Sequence, residues 1–241
     1  MIEWRDEGVI LAVWPHGENA AVTELFTHTH GRHAGIVRGG QGRRLSPVLQ
    51  SGNQVQAFWH ARLASHLGTM TVESLRPRTH LLADRLGLAG LGSVCAVLHA
   101  ALPEREPHPA LWRATIDLLD QMDGPEWPSA YLRWELILLR ELGFGLDLAT
   151  CAVTGTADDL AFVSPKTGRA VSMKGAGIWA DRLLPLPAGL NGRDALSPQS
   201  LSQGFAITTH FLTRELAALC YGRPLPEARG RLIDLLTRQI S

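Results

Sequence analysis

The sequence predicts an α+β protein in which a small β-barrel is followed by a helical domain. Up to about residue 80, apolar residues alternate with the period of strands, and turn residues separate the runs. Beyond that point the apolar spacing becomes helical. The chain has 241 residues, 45% apolar and 19% charged, which is enough to bury one large core or two modest ones. We therefore expect domains at 1–80 and 81–241.

Five short runs in the first eighty residues have the pattern of strands. They cover residues 7–14, 20–27, 32–38, 54–62 and 67–75. Short strands joined by turns, with no full-length helix among them, favour a closed or partly closed antiparallel barrel. The five-stranded OB-fold is the natural candidate, and this fold often binds single-stranded nucleic acid.

Five helices are expected after the barrel, at residues 81–102, 109–122, 127–142, 198–220 and 226–240. Pro109 and Pro198 stand where a first helical turn tolerates proline, and Gly143 stands where a helix ends. Residues 147–186 break into short polar and glycine-containing pieces, so we expect an irregular segment there. The apolar run 86–102 is shorter than the ~20 residues of a membrane span, and we interpret it as a buried helix.

The cysteines and the amino terminus indicate a cytoplasmic protein. Cys95, Cys151 and Cys220 are too few and too scattered for a disulfide framework, which favours a reducing compartment. The first seven residues carry four charges and offer no apolar segment for a signal peptide, so export is not expected.

Positive charge is concentrated between residues 31 and 78, although the formal net charge of the chain is zero. This stretch holds seven arginines against one acid, Glu73. Such asymmetry is typical of a nucleic-acid-binding surface, because arginines that neutralise phosphates release counterions. A solvated basic face without a ligand would produce the same asymmetry, and a GC-rich genome would produce the same preference for arginine over lysine.

Six residues of the predicted barrel are candidates for DNA contact. The glycines of the loop Arg38–Arg44 let the backbone approach a ligand, but the loop lacks the Lys-Ser or Lys-Thr ending of a nucleotide-binding Walker A loop. Alternation places Phe58 on one face, where it can stack on bases, and Trp59 on the core side. The candidate phosphate contacts are Arg32, Arg38, Arg43, Arg44 and Arg62.

No motif for catalysis or metal binding is recognised. His28, His30 and His33 are close in sequence, but no cysteine or carboxylate cluster completes four ligands, and a polar turn accounts for them. Asp158 and Asp159 are adjacent and point in different directions, which does not suit an acid–base pair. We expect no enzyme activity and no cofactor.

Several short segments, taken in order, point to a known family. At the start of the chain these are Glu-Gly-Val-Ile-Leu at 7–11, Pro-His-Gly-Glu at 15–18 and His-Gly-Arg-His-Ala-Gly-Ile-Val-Arg-Gly-Gly at 30–40. Further along come Trp-Glu-Leu at 134–136, Leu-Gly-Phe at 142–144, Cys-Ala-Val-Thr-Gly at 151–155 and Phe-Val-Ser-Pro at 162–165. In wording and order these segments resemble the RecO family of bacterial DNA repair proteins.

The resemblance implies a recombination mediator without enzyme activity. Members bind single- and double-stranded DNA, anneal complementary strands and, with RecR, help RecA load onto DNA coated by single-strand-binding protein. The resemblance also implies that the OB-fold domain binds DNA and that the helical domain binds the acidic, apolar C-terminal tail of single-strand-binding protein. For this tail we expect an apolar groove beside a basic residue, with Arg113, Arg133 and Arg214 as candidates.

One departure from the family concerns zinc. Some relatives hold zinc with two Cys-x-x-Cys pairs after the third helix, whereas here Cys151 is followed by Thr154, and Ser172 and Lys174 stand at the second pair. Structural zinc needs four suitable ligands, so we expect a zinc-finger-like insert without zinc, held by hydrogen bonds and apolar packing. The alternative function is an OB-fold adaptor that binds RNA or a protein partner and does not anneal DNA.

Overall fold

A computed structural model describes residues 1–190, 192, 195–219 and 224–238. The first five strands are β1 (Ile2–His16), β2 (Ala20–Thr27), β3 (Gly31–Val37), β4 (Gln54–Ala61) and β5 (Thr69–Arg76). They close into a barrel in the order β1-β2-β3-β5-β4. All neighbouring strands are antiparallel except β3 and β5, which pair in parallel. The predicted five-stranded OB-fold is thereby confirmed.

Alternation of side chains produces the barrel core. The inward positions of β2, β3 and β4 are buried, and residues such as Leu25, Val55 and Trp59 fill the interior. Burying each large apolar side chain contributes about 1.5–3 kcal/mol, so this interior stabilises the closed barrel.

Strand β1 is longer than predicted, because it serves two neighbours. Its first half, from Ile2 to Val9, pairs with β4, and its second half, to His16, pairs with β2. The register shifts between Ile10 and Ala12, where β1 has turned from one partner toward the other.

Two helices complete the first compact unit, which comprises Met1–Leu119 and Pro226–Leu232. They are α1 (Arg85–Ala101) and α2 (Pro109–Asp120). The predicted helix at 81–102 starts late because Thr79–Ala83 forms a 3-10 turn, and the Asp84 side chain accepts a hydrogen bond from Gly87 N and caps α1. The sequence analysis assigned both helices to a domain at 81–241, and that domain boundary stays a prediction. In the structure, the first compact unit contains these helices together with the barrel.

The second unit contains the remaining described residues. Its elements are α3 (Trp127–Glu141), β6 (Leu160–Val163), β7 (Ala170–Ser172), α4 (Met173–Ala176), a 3-10 turn (Gly177–Arg182), β8 (Leu184–Pro185) and α5 (Pro198–Leu219); α6 (Glu227–Arg238) spans both units. The buried carboxylate of Glu135 in α3 accepts a hydrogen bond from Thr208 of α5 at 2.6 Å. Leu132 of α3 packs against Gly204, where a Cβ would overlap it.

The segment predicted to be irregular contains a small sheet in the order β7-β6-β8. Its strands have two to four residues, too few for a period of two to be recognised in the sequence. Cys220 and the predicted end of the last helix at residue 240 lie outside the described residues. Within the described part of the chain, no helix has the length and apolarity to cross a membrane.

Candidate nucleic-acid interface

The basic loop 38–44 follows β3 and is anchored by a residue other than its arginines. The side-chain amide of Gln41 donates hydrogen bonds to the carbonyl oxygens of Gly17 and Ala20, at 3.0 and 2.7 Å. Because these oxygens belong to the β1–β2 turn, the loop is held against a neighbouring turn of the barrel. Its arginine side chains are not needed for this anchoring.

The three arginines of this loop project into solvent. Arg38, Arg43 and Arg44 are exposed, and none has a hydrogen bond or an ion pair within the described part of the chain. Their positive charge is therefore not neutralised locally. A phosphate backbone is a ligand that such a cluster attracts strongly.

The barrel also exposes Arg62 and partly exposes Phe58, as predicted from alternation. Arg62 directly follows β4 and makes no hydrogen bond or ion pair among the described residues. Phe58 lies on the outer face of β4, opposite Arg5 of β1, whose guanidinium carbon is 4.9 Å from the Phe58 ring centroid. The sequence reasoning missed Arg5 because the predicted first strand began only at residue 7.

The strand register relates Arg38 to Phe58. Val37 pairs with Met70 on β5, and Met70 pairs with Trp59 on β4. Arg38 directly follows β3, in a turn closed by a hydrogen bond from the Gly40 N–H to the Val37 carbonyl oxygen, so β5 separates the end of β3 from Phe58 on β4. At ~4.8 Å between strands, β3 and β4 are roughly 10 Å apart across β5.

Arg32 has a different environment from these four arginines. Its Nη1 donates to Glu24 Oε2 at 2.6 Å and its Nε to the carbonyl oxygen of Leu102 at 2.8 Å. The side chains of Arg32 and Glu24 are only 15% and 5% exposed. The guanidinium of Arg32, a predicted phosphate contact, thus neutralises a buried carboxylate within the protein, unlike the four exposed arginines.

The outer face of β2 and β3 is covered by α1 and α2. Glu24 accepts a hydrogen bond from His99 Nδ1 of α1 at 2.6 Å, and Phe26 packs edge-on against Trp112 of α2, with ring centroids 5.6 Å apart. In OB-folds this face commonly holds the oligonucleotide. Here its side chains are occupied by the protein's own helices, which leaves the loops and the outer face of β5, β4 and β1 exposed.

Arg76 and Arg78, the last two arginines of the basic stretch, also differ from the four unpaired arginines, because both interact with other residues of the protein. Arg78 is 2% exposed; its backbone N–H donates to Asn53 Oδ1 and its Nη1 to the carbonyl oxygen of Leu119, both at 2.8 Å. Arg76 is exposed and interacts with other residues of the protein. The charge excess seen in the sequence is therefore divided between structural arginines and free ones.

The clustered histidines contribute to packing. His30 stacks on Trp4, with ring centroids 4.4 Å apart, and His33 meets Trp59 edge-on at 4.7 Å. His28 lies against Trp112, at 6.0 Å. Within the described residues, no group of three or more histidine, cysteine or acidic side chains is arranged to hold a metal ion.

Two buried titratable groups lie beside this stack. Burial by itself would raise the pKa of Asp6, but hydrogen bonds from His30 and Thr29 lower it below its ordinary value. Burial, together with the positive charges of Arg105 and His30, lowers the pKa of His33 to about 4. His33 is therefore neutral near pH 7, and neither of its ring nitrogens has a hydrogen-bond partner among the described residues.

The three predicted partner-binding arginines are in different environments. Arg113 is exposed on α2, in the first unit, and Arg133 is half-buried on α3, in the second. Arg214 of α5 donates to the carbonyl oxygen of Pro165 at 2.6 Å, and its guanidinium carbon lies 4.9 Å from the centroid of the Phe211 ring. Arg214 thus fixes the turn after β6.

A groove that the sequence did not reveal lies between α3 and the segment after it. It has a volume of about 340 Å³ and is lined by Leu136, Ile137, Arg140, Gly145, Leu146, Leu148 and Ala149. Arg140 is exposed, and its side chain has no hydrogen bond or ion pair within the described residues. The groove therefore combines apolar walls with an unneutralised positive charge.

The segment around Cys151 is held by hydrogen bonds and apolar packing. The buried sulfur accepts hydrogen bonds from the backbone N–H groups of Val153, Thr154 and Ser172 at 3.4, 3.4 and 3.2 Å, and from the Ser172 hydroxyl at 3.3 Å. Burial raises the pKa of Cys151, but the hydrogen bonds from Ser172 and Thr154 outweigh it and lower the pKa to about 6.

These residues do not fit a zinc ion. Thr154 Oγ1 and Ser172 Oγ lie near each other at 3.5 Å and Ser172 contacts the Cys151 sulfur, so three of the four family positions converge. Two of these three are hydroxyls, and structural zinc is held by thiolates and imidazoles. Hydrogen bonds to the Cys151 sulfur join Val153, Thr154 and Ser172 in this segment.

Comparisons with known proteins agree with this architecture. Residues 1–78 match the family model described as "Recombination protein O N terminal", and residues 82–219 match "Recombination protein O C terminal". The DNA repair protein RecO of Cereibacter sphaeroides is 62% identical over 238 residues, which cover 99% of this chain and 100% of that protein. The proteins of the same name from Ruegeria sp. and Roseobacter denitrificans are each 52% identical over 241 residues, with the same coverage. The chain therefore belongs to the RecO family of DNA repair proteins.

Proposed function

We propose that this protein is a recombination mediator that binds single- and double-stranded DNA through exposed arginines of its barrel and anneals complementary strands. The observation that carries the proposal is the set of four exposed arginines without a partner among the described residues: Arg38, Arg43, Arg44 and Arg62. Arginines that the protein already neutralises, such as Arg32, have no charge to offer a phosphate.

Annealing requires that two polyanions approach each other and that their repulsion be screened. Guanidinium groups on a fixed loop do this without breaking or forming a covalent bond. The proposed activity therefore needs neither a nucleophile nor a cofactor. Membership of the family further supports proposing that the protein works in the cytoplasm, at the nucleoid, and that with RecR it helps RecA load onto coated DNA.

We place the binding site for the tail of single-strand-binding protein in the groove beside Arg140. The resemblance implies an acidic, apolar tail, and the groove offers leucine side chains for its apolar residues and a free guanidinium for its carboxylates. Arg214 suits this role less well, because its guanidinium already binds the Pro165 carbonyl.

The decisive experiment is annealing of complementary oligonucleotides precoated with the cognate single-strand-binding protein. Wild type should accelerate annealing, and the Arg43→Ala/Arg44→Ala variant should lose most of the acceleration. The control variant Arg231→Ala/Arg238→Ala removes the same amount of charge from exposed positions of α6, and it should accelerate annealing as wild type does. If wild type does not accelerate annealing with or without the coat protein, the protein is not an annealing mediator, and an adaptor for RNA or protein is favoured instead.

The tail site is tested separately with a peptide of the tail sequence. Arg140→Glu should abolish binding measured by fluorescence anisotropy, whereas Arg113→Glu should not. Equal loss in both variants would show that binding depends on net charge alone and would contradict the placement.

A further inference from the structure

Among the described residues, the barrel has an exposed face formed by the outer sides of β5, β4 and the first residues of β1, whereas α1 packs against β1 further along, near Ile10. The residues at its centre are exposed or half-buried: Thr71 on β5, Phe58 and His60 on β4, and Glu3 and Arg5 on β1. The pairing of Arg5 with Phe58, and of Glu3 with His60, brings these four side chains together.

A pocket of about 400 Å³ opens on this face. It is lined by Glu3, Trp4, Arg5, Phe58, Trp59 and His60. Trp4 stacks on the buried Trp59, with ring centroids 5.6 Å apart and planes 16° from parallel. Trp4 and Trp59 belong to the core side of the sheet, so the groups that the pocket presents to solvent are those of Glu3, Arg5, Phe58 and His60.

The pocket walls suit a planar aromatic ring. Phe58 and the Arg5 guanidinium, 4.9 Å apart, together present a surface on which a nucleobase stacks, since bases stack on both aromatic rings and guanidinium planes. The carboxylate of Glu3 at the rim repels phosphate but accepts hydrogen bonds from the exocyclic amino group of a base. The chemistry of this pocket thus differs from that of the loop arginines.

We propose that the Arg5–Phe58 pocket binds one unpaired base of single-stranded DNA while Arg38 contacts a phosphate of the same strand. Arg38 directly follows β3, and the distance of roughly 10 Å from β3 across β5 to β4 is within reach of two long side chains and one nucleotide. A base inside a duplex is stacked between its neighbours and cannot enter the pocket. The arginines alone do not distinguish single-stranded from double-stranded DNA. The pocket therefore gives this surface a preference for single strands.

This inference rests on the proposed function, because it names the ligand group of the same DNA-binding surface. It adds a contact that depends on bases and is independent of salt. Affinity is measured for three probes of equal length: a mixed-sequence single strand, the same strand with abasic sites throughout, and the duplex. Phe58→Leu keeps an apolar side chain on the half-buried position, and the control is Val153→Ala, at an exposed apolar residue of the second unit.

We expect Phe58→Leu to weaken binding of the single strand by about five- to a hundredfold, the range for loss of one base–aromatic stack. Affinity for the abasic strand and the duplex should stay within about twofold of wild type, and the salt dependence should not change. Arg5→Ala should weaken single-strand binding in the same selective way. Val153→Ala should bind all three probes as wild type does.

A second measurement uses a strand with one 2-aminopurine, whose fluorescence is quenched by stacking. Wild type should quench it and Phe58→Leu should restore its fluorescence at saturating protein. The pocket is refuted if Phe58→Leu binds the single strand as wild type does, or if it weakens all three probes equally. If wild type binds none of the probes, both this inference and the proposed function fail. If wild type binds DNA but Phe58→Leu has no selective effect, only this inference fails.

Discussion

Replacement of Arg32 by alanine should destabilise the protein without removing a DNA contact. In the folded protein the Arg32 guanidinium binds Glu24 at 2.6 Å, and the Glu24 side chain is only 5% exposed. After the substitution, Glu24 keeps its hydrogen bond to His99 but loses the permanent positive charge beside it. A buried carboxylate that loses its ion-pair partner costs about 3–5 kcal/mol.

We expect the lower end of this range, about 3 kcal/mol, because His99 still donates to Glu24 and Arg32 is not fully buried. For a chain of this size the loss corresponds to a decrease in Tm of roughly 6–12 °C. Urea denaturation followed by tryptophan fluorescence measures it. Arg38→Ala is the matched control and should change the free energy of unfolding by less than about 0.5 kcal/mol, since Arg38 is exposed and has no partner among the described residues.

A double variant tests the physical reason. Arg32→Leu/Glu24→Leu removes both charges from the covered face of β2 and β3 and should recover a large part of the stability that Arg32→Ala loses. The reasoning would be refuted if Arg32→Ala were as stable as wild type and reduced the salt dependence of DNA binding as Arg43→Ala does. Arg32 would then belong to the DNA-binding surface.

Three further predictions concern charge, pH and backbone conformation. Arg43→Ala and Arg44→Ala should each lower the slope of log K against log salt by about 0.7–0.9 in titrations of single- and double-stranded DNA, and an unchanged slope would remove that residue from the interface. The pKa of His33 in the folded protein lies below the ordinary value of about 6.5, so as pH falls the unfolded chain takes up the proton first. This group should therefore lower the free energy of unfolding by about 2 kcal/mol between pH 7 and pH 5. Urea denaturation at the two pH values measures this decrease, and His33→Phe should not show it. Gly31 has φ +65° and an added Cβ would overlap the carbonyl oxygen of Glu106, so Gly31→Ala should lower Tm more than Gly17→Ala, whose φ is +59° but whose Cβ position is open; equal shifts would show that only φ matters.

Local patterns sufficed for the barrel. The second strand was predicted at its observed bounds and the fourth to within one residue. Buried and more exposed residues alternate along β4, and turn residues bound the run that forms β2, whose last five residues are all buried. The start of β1 was missed because its first residues, Ile2 to Asp6, carry charges between apolar positions and resemble a terminus. The sheet at residues 160–185 was missed because its strands are too short to show a period.

The order of barrel and helices, the position of the basic loop and the outward direction of Phe58 could be predicted from local patterns, since each depends on residues near one another in the chain. Which arginines are free depends on contacts between residues that are distant in the chain. Arg32 is neutralised by Glu24, eight residues away, and is held by the Leu102 carbonyl, 70 residues away, and Arg5 meets Phe58 only because β1 pairs with β4. A charged side chain looks the same in sequence whether it faces solvent or a buried carboxylate, because its partner is brought to it by the fold.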